Sequence, residues 1–161
     1  MFLCDRITYI GHVITPEGME PNPERVKAIN EMPPPQDKKG VQRLLGMITY
    51  LGRYIPNLSD LTQPLRILIN KENEFIWTHE QHNAFVKIKL ALKNDALLAH
   101  FDINKPIEVH TDASLHGLGA CLIQDSHPVG YASRSLTSTE KRYANIEKEL
   151  LSVVFGLERF N

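Results

Sequence analysis

The sequence predicts an α+β chain: a strand or hairpin, then a small helical cluster, then a β-β-β-α unit. Three patterns predict it. Apolar residues alternate near the N-terminus, proline-bounded segments with helical spacing fill the middle, and alternation returns after Pro106 before one amphipathic helix. At 161 residues the chain suits one domain or two small ones.

Each element has its own signals. Ile7, Tyr9, Gly11 and Val13 interleave with Thr8, Ile10, His12 and Ile14, and a turn follows at Pro16 to Gly18. This reads as the end of a hairpin or one edge strand, and it starts abruptly, as though its partner strand were missing. Asn22-Pro23-Glu24 is a helix start, with Asn as cap, Pro at the first helical position and Glu in the first turn. Val26 and Ile29 supply the apolar face, and Pro33-Pro34-Pro35 ends the helix. A second helix begins near Asp37, carries Val41, Leu44, Leu45, Ile48 and Leu51 at helical spacing, and is closed by Pro56. A third covers Leu61 to Ile69.

Phe75-Ile76-Trp77-Thr78 forms an apolar knot, and Thr78 caps a helix lined by Phe85, Ile88 and Leu92. Leu97 to Lys105 is loop-like. Ile107, Val109 and Thr111 then alternate with Glu108, His110 and Asp112. Gly117 and Gly119 open a second strand, and Pro128 to Ser133 form a third. Short turns make these an antiparallel meander. Ile146, Leu150, Val153, Val154 and Leu157 share one stripe of the last helix, the side expected to pack.

Composition excludes several classes. Apolar residues are 42% and charged residues 23%, so a packed core is affordable and disorder is not indicated. The net charge of −1 provides no global basic field, which weighs against autonomous nucleic-acid binding. Cys4 and Cys121 form no metal or redox pair. The N-terminus lacks a secretory pattern and no run is membrane-spanning, so an intracellular, cytoplasmic or nuclear, location without membrane partners is expected.

Two constellations carry possible chemistry. Asp112, in Thr111-Asp112-Ala113-Ser114, stands at a strand end among small residues. It is either a turn cap or an oxygen ligand for a hard cation. Glu147 and Glu149 flank the apolar sector of the last helix, as solvated charges or as carboxylates aimed at the strand ends. A strand carboxylate and a helix carboxylate could share a divalent ion, but two are too few for two-metal phosphodiester hydrolysis. His79 and His82 are one residue short of the zinc-protease spacing and lack a third ligand.

Along nearly its full length the chain resembles the reverse transcriptase–ribonuclease H region of gypsy-class long-terminal-repeat retrotransposons. Tyr9-Ile10-Gly11-His12-Val13-Ile14 looks like F/Y-L-G-H-x-I, and Pro23 through Ile29 resembles D-P-x-K-x-x-x-I. Leu44-Leu45-Gly46-Met47 with Tyr50, Arg53, Tyr54 and Ile55 resembles L-G-x-x-x-Y-Y-R-R-F-I. Pro64-Leu65 and Phe75-Ile76-Trp77 match P-L…F-x-W. Thr111 to Ser114, Tyr131 to Leu136 and Glu147 to Leu151 match T-D-A-S, Y-A-S-R-x-L and E-K-E-L-L. Each match is weak alone; their common order and spacing are specific.

The resemblance implies a palm end with its primer-grip hairpin over 1–18, thumb helices over 19–72, a helical connector over 73–105, and the N-terminal half of a ribonuclease H-like domain over 106–161. It makes Asp112 and Glu149 catalytic metal ligands, with two Mg²⁺ ions expected in the complete domain. Ser114, Gly117 and Arg134 would support that site. Tyr9, Ile10, Gly11, His12, Arg53 and Tyr54 would contact nucleic acid. The implied partners are an RNA–DNA hybrid or primer-template and the remainder of the Pol polyprotein.

The family's other ribonuclease H aspartates and its paired polymerase aspartates lie outside this chain, so the isolated chain is expected to perform neither reaction. Leu51 and Gly52 replace an aromatic and a basic residue of the thumb pattern, which would weaken phosphate contact. The competing reading is a non-enzymatic binding or interaction remnant. A third is a bare fragment, whose third strand and last helix would be partly uncovered and prone to aggregate.

Overall fold

The computed structural model describes residues 4–93 and 96–161. Met1 to Leu3, part of the segment read as lacking a secretory signal, fall outside the described residues. The N-terminal segment is a three-stranded antiparallel sheet of β1 (Ile7–Tyr9), β2 (His12–Thr15) and β3 (Gly18–Pro21), in that order. This corrects the expectation of a missing partner. Ile7 pairs with Ile14 and Tyr9 with His12, so one continuous alternation was in fact two strands folded about Ile10-Gly11. The turn expected at Pro16 to Gly18 is tighter, and Gly18 already pairs with Thr15 in β3.

Four helices follow: α1 (Pro23–Glu31), α2 (Lys38–Tyr50), α3 (Leu58–Leu68) and α4 (His79–Lys93). The predicted Asn22 cap forms, and Asp37, near which the second helix is expected to begin, caps it as well. The Asn22 side chain accepts from the Glu24 amide at 2.8 Å, and Asp37 accepts from the Gly40 amide at 2.6 Å. Such caps contribute about 1 kcal/mol each. α3 begins three residues before the expected Leu61 and carries Pro64 inside it. The Pro64 carbonyl accepts from Gln81 Nε2 at 3.3 Å, while Gln81 Oε1 takes the Thr78 amide at 3.0 Å, so one glutamine starts α4 and ties it to α3.

The helices share a core of Ile29, Leu44, Ile48, Leu51, Ile55, Leu65 and Ile88, each essentially inaccessible to solvent. A fully buried side chain of this size contributes roughly 1.5–3 kcal/mol. Leu98 joins this core, the one bridged residue in the otherwise loop-like Leu97 to Lys105. Its amide and carbonyl exchange bonds with Met19 at 2.9 and 2.8 Å, so the segment extends the first sheet at that point.

The second sheet is a meander of β4 (Glu108–Ala113), β5 (Gly117–Gln124) and β6 (His127–Ser135), followed by α5 (Asn145–Arg159). β6 lies against α3 and the 3-10 turn at Gly52–Tyr54, and its Pro128 carbonyl accepts from the Ala99 amide at 2.8 Å. Both β4 and β6 are edges of this sheet, and β6 is the one partly covered.

α5 packs by the side opposite to expectation. Lys148, Ser152 and Gly156 are buried, whereas Ile146, Leu150, Val153, Val154 and Leu157 face solvent, with Leu150 62% and Leu157 58% exposed. Close approach selects the small-residue side. A Cβ on Gly156 would stand 2.6 Å from Thr111 Cγ2 and 3.1 Å from Val109 Cγ1.

Candidate nucleic-acid interface and metal-binding carboxylates

The β1–β2 turn is the most constrained local feature. Ile10 and Gly11 have φ of 43° and 69°, the left-handed pair of a two-residue hairpin turn. Glycine is at ease there; a β-branched isoleucine is not. Both turn carbonyls are held from outside the hairpin. The Tyr50 hydroxyl, on the last residue of α2, donates to the Ile10 carbonyl, and the Asn22 amide donates to that of Gly11 at 3.3 Å. A Cβ on Gly11 would collide with the Tyr50 hydroxyl and stand 2.8 Å from Arg25 Nε. The Ile10 side chain, 67% exposed, is left pointing to solvent.

His12 continues the clamp. Its ring stacks on Tyr50 at 5.5 Å between centroids, and the Arg25 guanidinium covers that tyrosine at 4.3 Å from the ring centroid. His12 Nδ1 meets the Tyr54 hydroxyl at 2.8 Å, and that hydroxyl donates to the Glu20 carbonyl at 3.1 Å. With its proton on Glu20, the hydroxyl accepts from His12, which places the ring proton on Nδ1. Burial first, then the Arg53 and Arg25 charges, hold the His12 pKa below its ordinary value. Burial pushes the Tyr54 hydroxyl up to about 12. His12 and Tyr54 are thus both neutral at pH 7, with the Arg25 charge set over Tyr50.

The structure brings Gly11, His12 and Tyr54 together. Tyr9 and Arg53 are exposed nearby in the chain, at the end of β1 and in the 3-10 turn. Sequence reasoning did not assign Tyr50 or Arg25 to the site. Tyr50 stood in the matched thumb pattern, and Arg25 stood at the basic position of the D-P-x-K-x-x-x-I match. Leu51, one of the two thumb departures, is buried in the helical core, so that exchange alters packing rather than the surface.

The carboxylates are arranged differently. Asp112 is exposed near the end of β4, opposite Gly119. Alternation puts it in the other set from Val109 and Thr111, the two residues that receive Gly156 of α5. Its neighbour Ser114 closes the hairpin. The Ser114 hydroxyl accepts from the His116 and Gly117 amides at 3.0 and 2.9 Å and donates to Asp60 Oδ1 at 2.6 Å, which ties the hairpin to α3.

Gly117 and Gly119 lie under the start of α3. A Cβ at Gly117 would be 2.8 Å from that of Ser59, and one at Gly119 would strike the Asn57 side chain. Arg134 forks onto Glu140 at 2.8 and 2.9 Å. The guanidinium and the Thr137 amide together lower the Glu140 pKa to about 2.

On α5, Glu147 takes the Ala144 amide at 2.7 Å as a helix cap. Glu149 is exposed and makes no side-chain hydrogen bond or ion pair among the described residues. Asp112 is likewise unengaged. These are suitable oxygen donors for a hard cation. No group of three or more potential ligands converges among the described residues, so the donors present do not fit a complete two-ion site. His79 bonds to Asn83 at 3.1 Å and has no part in one.

Residues 77–161 match the RNase H-like domain found in reverse transcriptase. The chain belongs to that family. Domains of this kind generally use divalent metals, and the family is one of reverse transcriptase and ribonuclease H enzymes.

The sequence relatives of this RNase H-like chain are retrotransposon Pol polyproteins. It is 36% identical over 160 residues to the retrovirus-related Pol polyprotein from transposon 297 of Drosophila melanogaster, matching 99% of this chain and 15% of the polyprotein. It is 32% identical to that from transposon gypsy of the same organism, over 97% of this chain and 16% of the polyprotein. The Tf2-3 polyprotein of Schizosaccharomyces pombe is also 32% identical, over 99% and 12%. The chain therefore spans about a sixth or less of these relatives' lengths.

Among solved structures it resembles the foamy viral protease-reverse transcriptase dRH in complex with double-stranded DNA. The TM-score is 0.84 at 27% identity, over 98% of this chain and 28% of that one. The foamy viral protease-reverse transcriptase in complex with RNA/DNA hybrid gives 0.83 and 27%, over 96% and 22%. No described helix is long and apolar enough to cross a membrane.

Proposed function

We propose that this chain is the segment of a retrotransposon reverse transcriptase that holds the primer end and passes the duplex toward ribonuclease H. The observation that carries this is the Ile10–Gly11 turn. It is strained, presented to solvent, and pinned through both carbonyls to the first helices. In this reading residues 1–18 end the palm and carry the primer grip, 19–72 form the thumb, 73–105 the connector, and 106–161 the first half of the nuclease. Tyr9, Ile10, Gly11 and His12 meet the primer terminus, with Arg53 and Tyr54 behind them. Strain is retained where backbone shape is needed for contact.

Asp112 and Glu149 contribute two carboxylates to a Mg²⁺ site that other parts of the polyprotein complete. The partners are a primer-template or RNA–DNA hybrid and the rest of that polyprotein. The foamy viral relatives bound to double-stranded DNA and to hybrid support this reading.

The test is hybrid-duplex binding by the purified chain, followed by fluorescence anisotropy between about 50 and 200 mM salt. Affinity is expected to fall linearly on logarithmic axes as counterions are released. Absent or salt-independent binding would leave the non-enzymatic remnant. The same chain is expected to cleave no hybrid in Mg²⁺, and measurable cleavage would contradict the incomplete-site reading.

A further inference from the structure

A groove of about 240 Å³ separates the helical cluster from β6 and α5. Its lining includes Arg53, Arg66, Arg134 and Arg159, with the hydroxyl groups of Ser59 and Ser133, and no carboxylate. The whole chain has 18 basic and 19 acidic residues, so its near-zero net charge conceals a local concentration of cations. The four arginines come from the 3-10 turn, α3, β6 and α5, and only the tertiary fold gathers them.

They are not equivalent. Arg134 is neutralised by its fork onto Glu140. Glu158 adds a more distant attraction to Arg134 from outside the lining. Arg53, Arg66 and Arg159 have no carboxylate partner among the described residues. Arg66 is also oriented, because its Nε donates to the Thr62 hydroxyl at 3.1 Å. That hydroxyl is itself buried and bonded to the Leu58 carbonyl at 2.8 Å. Its remaining N–H groups are available to a planar or tetrahedral anion.

We propose that this groove is a phosphate-binding subsite that takes successive phosphodiester groups of a nucleic-acid backbone crossing from the helical cluster to the β-β-β-α unit, with Arg66 and Arg159 as its principal donors. This rests on the nucleic-acid reading above and extends it to residues that no motif marked. Guanidinium groups without competing carboxylates bind phosphate through paired N–H donors and release counterions in doing so. The contacts touch no bases, so binding here is indifferent to sequence.

The test compares the full chain with R66Q, R159Q and the double variant, using hybrid duplexes of two unrelated sequences. Each substitution is expected to reduce the steepness of the salt dependence by about 1, and the double variant by about 2, equally for both sequences. R66K should keep most of the slope, since charge is retained while the fork is lost. Thermal melting of every variant controls for folding.

Wild-type binding with a slope unchanged in the double variant overturns the groove and leaves the nucleic-acid reading intact. No salt-dependent wild-type binding overturns both. Inorganic pyrophosphate, titrated while the arginine Nε–H signals are observed, separates the sources of phosphate. If it moves the Arg66 signal while duplex affinity ignores both substitutions, the groove takes a small free anion and the backbone assignment fails.

Discussion

Ile10 holds a backbone conformation that hairpins usually give to asparagine or glycine, with φ of 43°. An L-residue there costs about 1–2 kcal/mol, more when β-branched. Ile10→Asn is therefore expected to raise stability by about 1 kcal/mol, seen as a higher urea midpoint at unchanged m-value. If the exposed side chain meets nucleic acid, the same variant binds duplex more weakly. A variant that is both more stable and equally tight in binding would remove Ile10 from the interface.

His12 gives the clamp a pH dependence whose sign follows from its environment. Burial, then Arg53 and Arg25, favour the neutral ring in the folded chain, so its pKa is below the ordinary 6.5. The unfolded chain takes up the proton at higher pH. This contribution to stability is full above 6.5 and is lost as pH falls toward the folded value. His12→Gln keeps a polar group without the titration. The advantage of wild type over H12Q in melting temperature is expected to shrink from about pH 7.5 to pH 5. A constant difference would mean that the ring proton is not linked to folding.

At the scale of elements, local signals were accurate where a short segment decides its own structure. Asn22, Asp37 and Thr78 start helices because their side chains satisfy amides two or three residues away, a contact that needs no distant partner. The alternation at 7–14 was ambiguous for a physical reason. In the register Ile7↔Ile14 and Tyr9↔His12 the two-residue turn shifts the alternation by one residue, a slip that apolar residues on both sides of the sheet conceal, and the left-handed pair at Ile10-Gly11 marks the fold-back.

α5 failed differently. Its apolar stripe predicts the packing side, but Gly156 and Ser152 let the helix sit closer to the sheet on the other. Lys148 is buried beside them, a position a long side chain reaches by laying down its methylene stem. Gly156→Ala tests this. Helix propensity favours alanine by about 1 kcal/mol. Overpacking against Thr111 and Val109 costs roughly 1–3 kcal/mol. A net loss of melting temperature is expected, and a gain would show that α5 is not held tightly on the sheet.

At the scale of the molecule, the outward apolar stripe of α5 and the open edge of β4 lie on one structural unit. Both are surfaces that associate in water. Leu150→Lys with Leu157→Lys is expected to reduce self-association, measured by light scattering on a sizing column. The melting temperature should barely change, because these side chains are already exposed and surface changes are usually within about 0.5 kcal/mol. Unchanged association would move attention to the β4 edge. A large loss of stability would show that the stripe is packed after all.

The sequence by itself determined the element types and the family. Caps, turn residues and periodicity act over a few residues, and ordered motifs record a shared ancestry of the whole segment. It also marked Asp112, Glu147 and Glu149 as candidates, because strand-end and helix-flank positions follow from spacing, and the family resemblance singled out Glu149. Tertiary structure alone decided which side of α5 is buried, that Glu147 caps its helix while Glu149 stays unengaged, that Tyr50 and Arg25 grip the Ile10–Gly11 turn, and that four arginines share one groove. Those outcomes depend on how closely separate elements approach and on which distant charges become neighbours. Sequence spacing encodes neither.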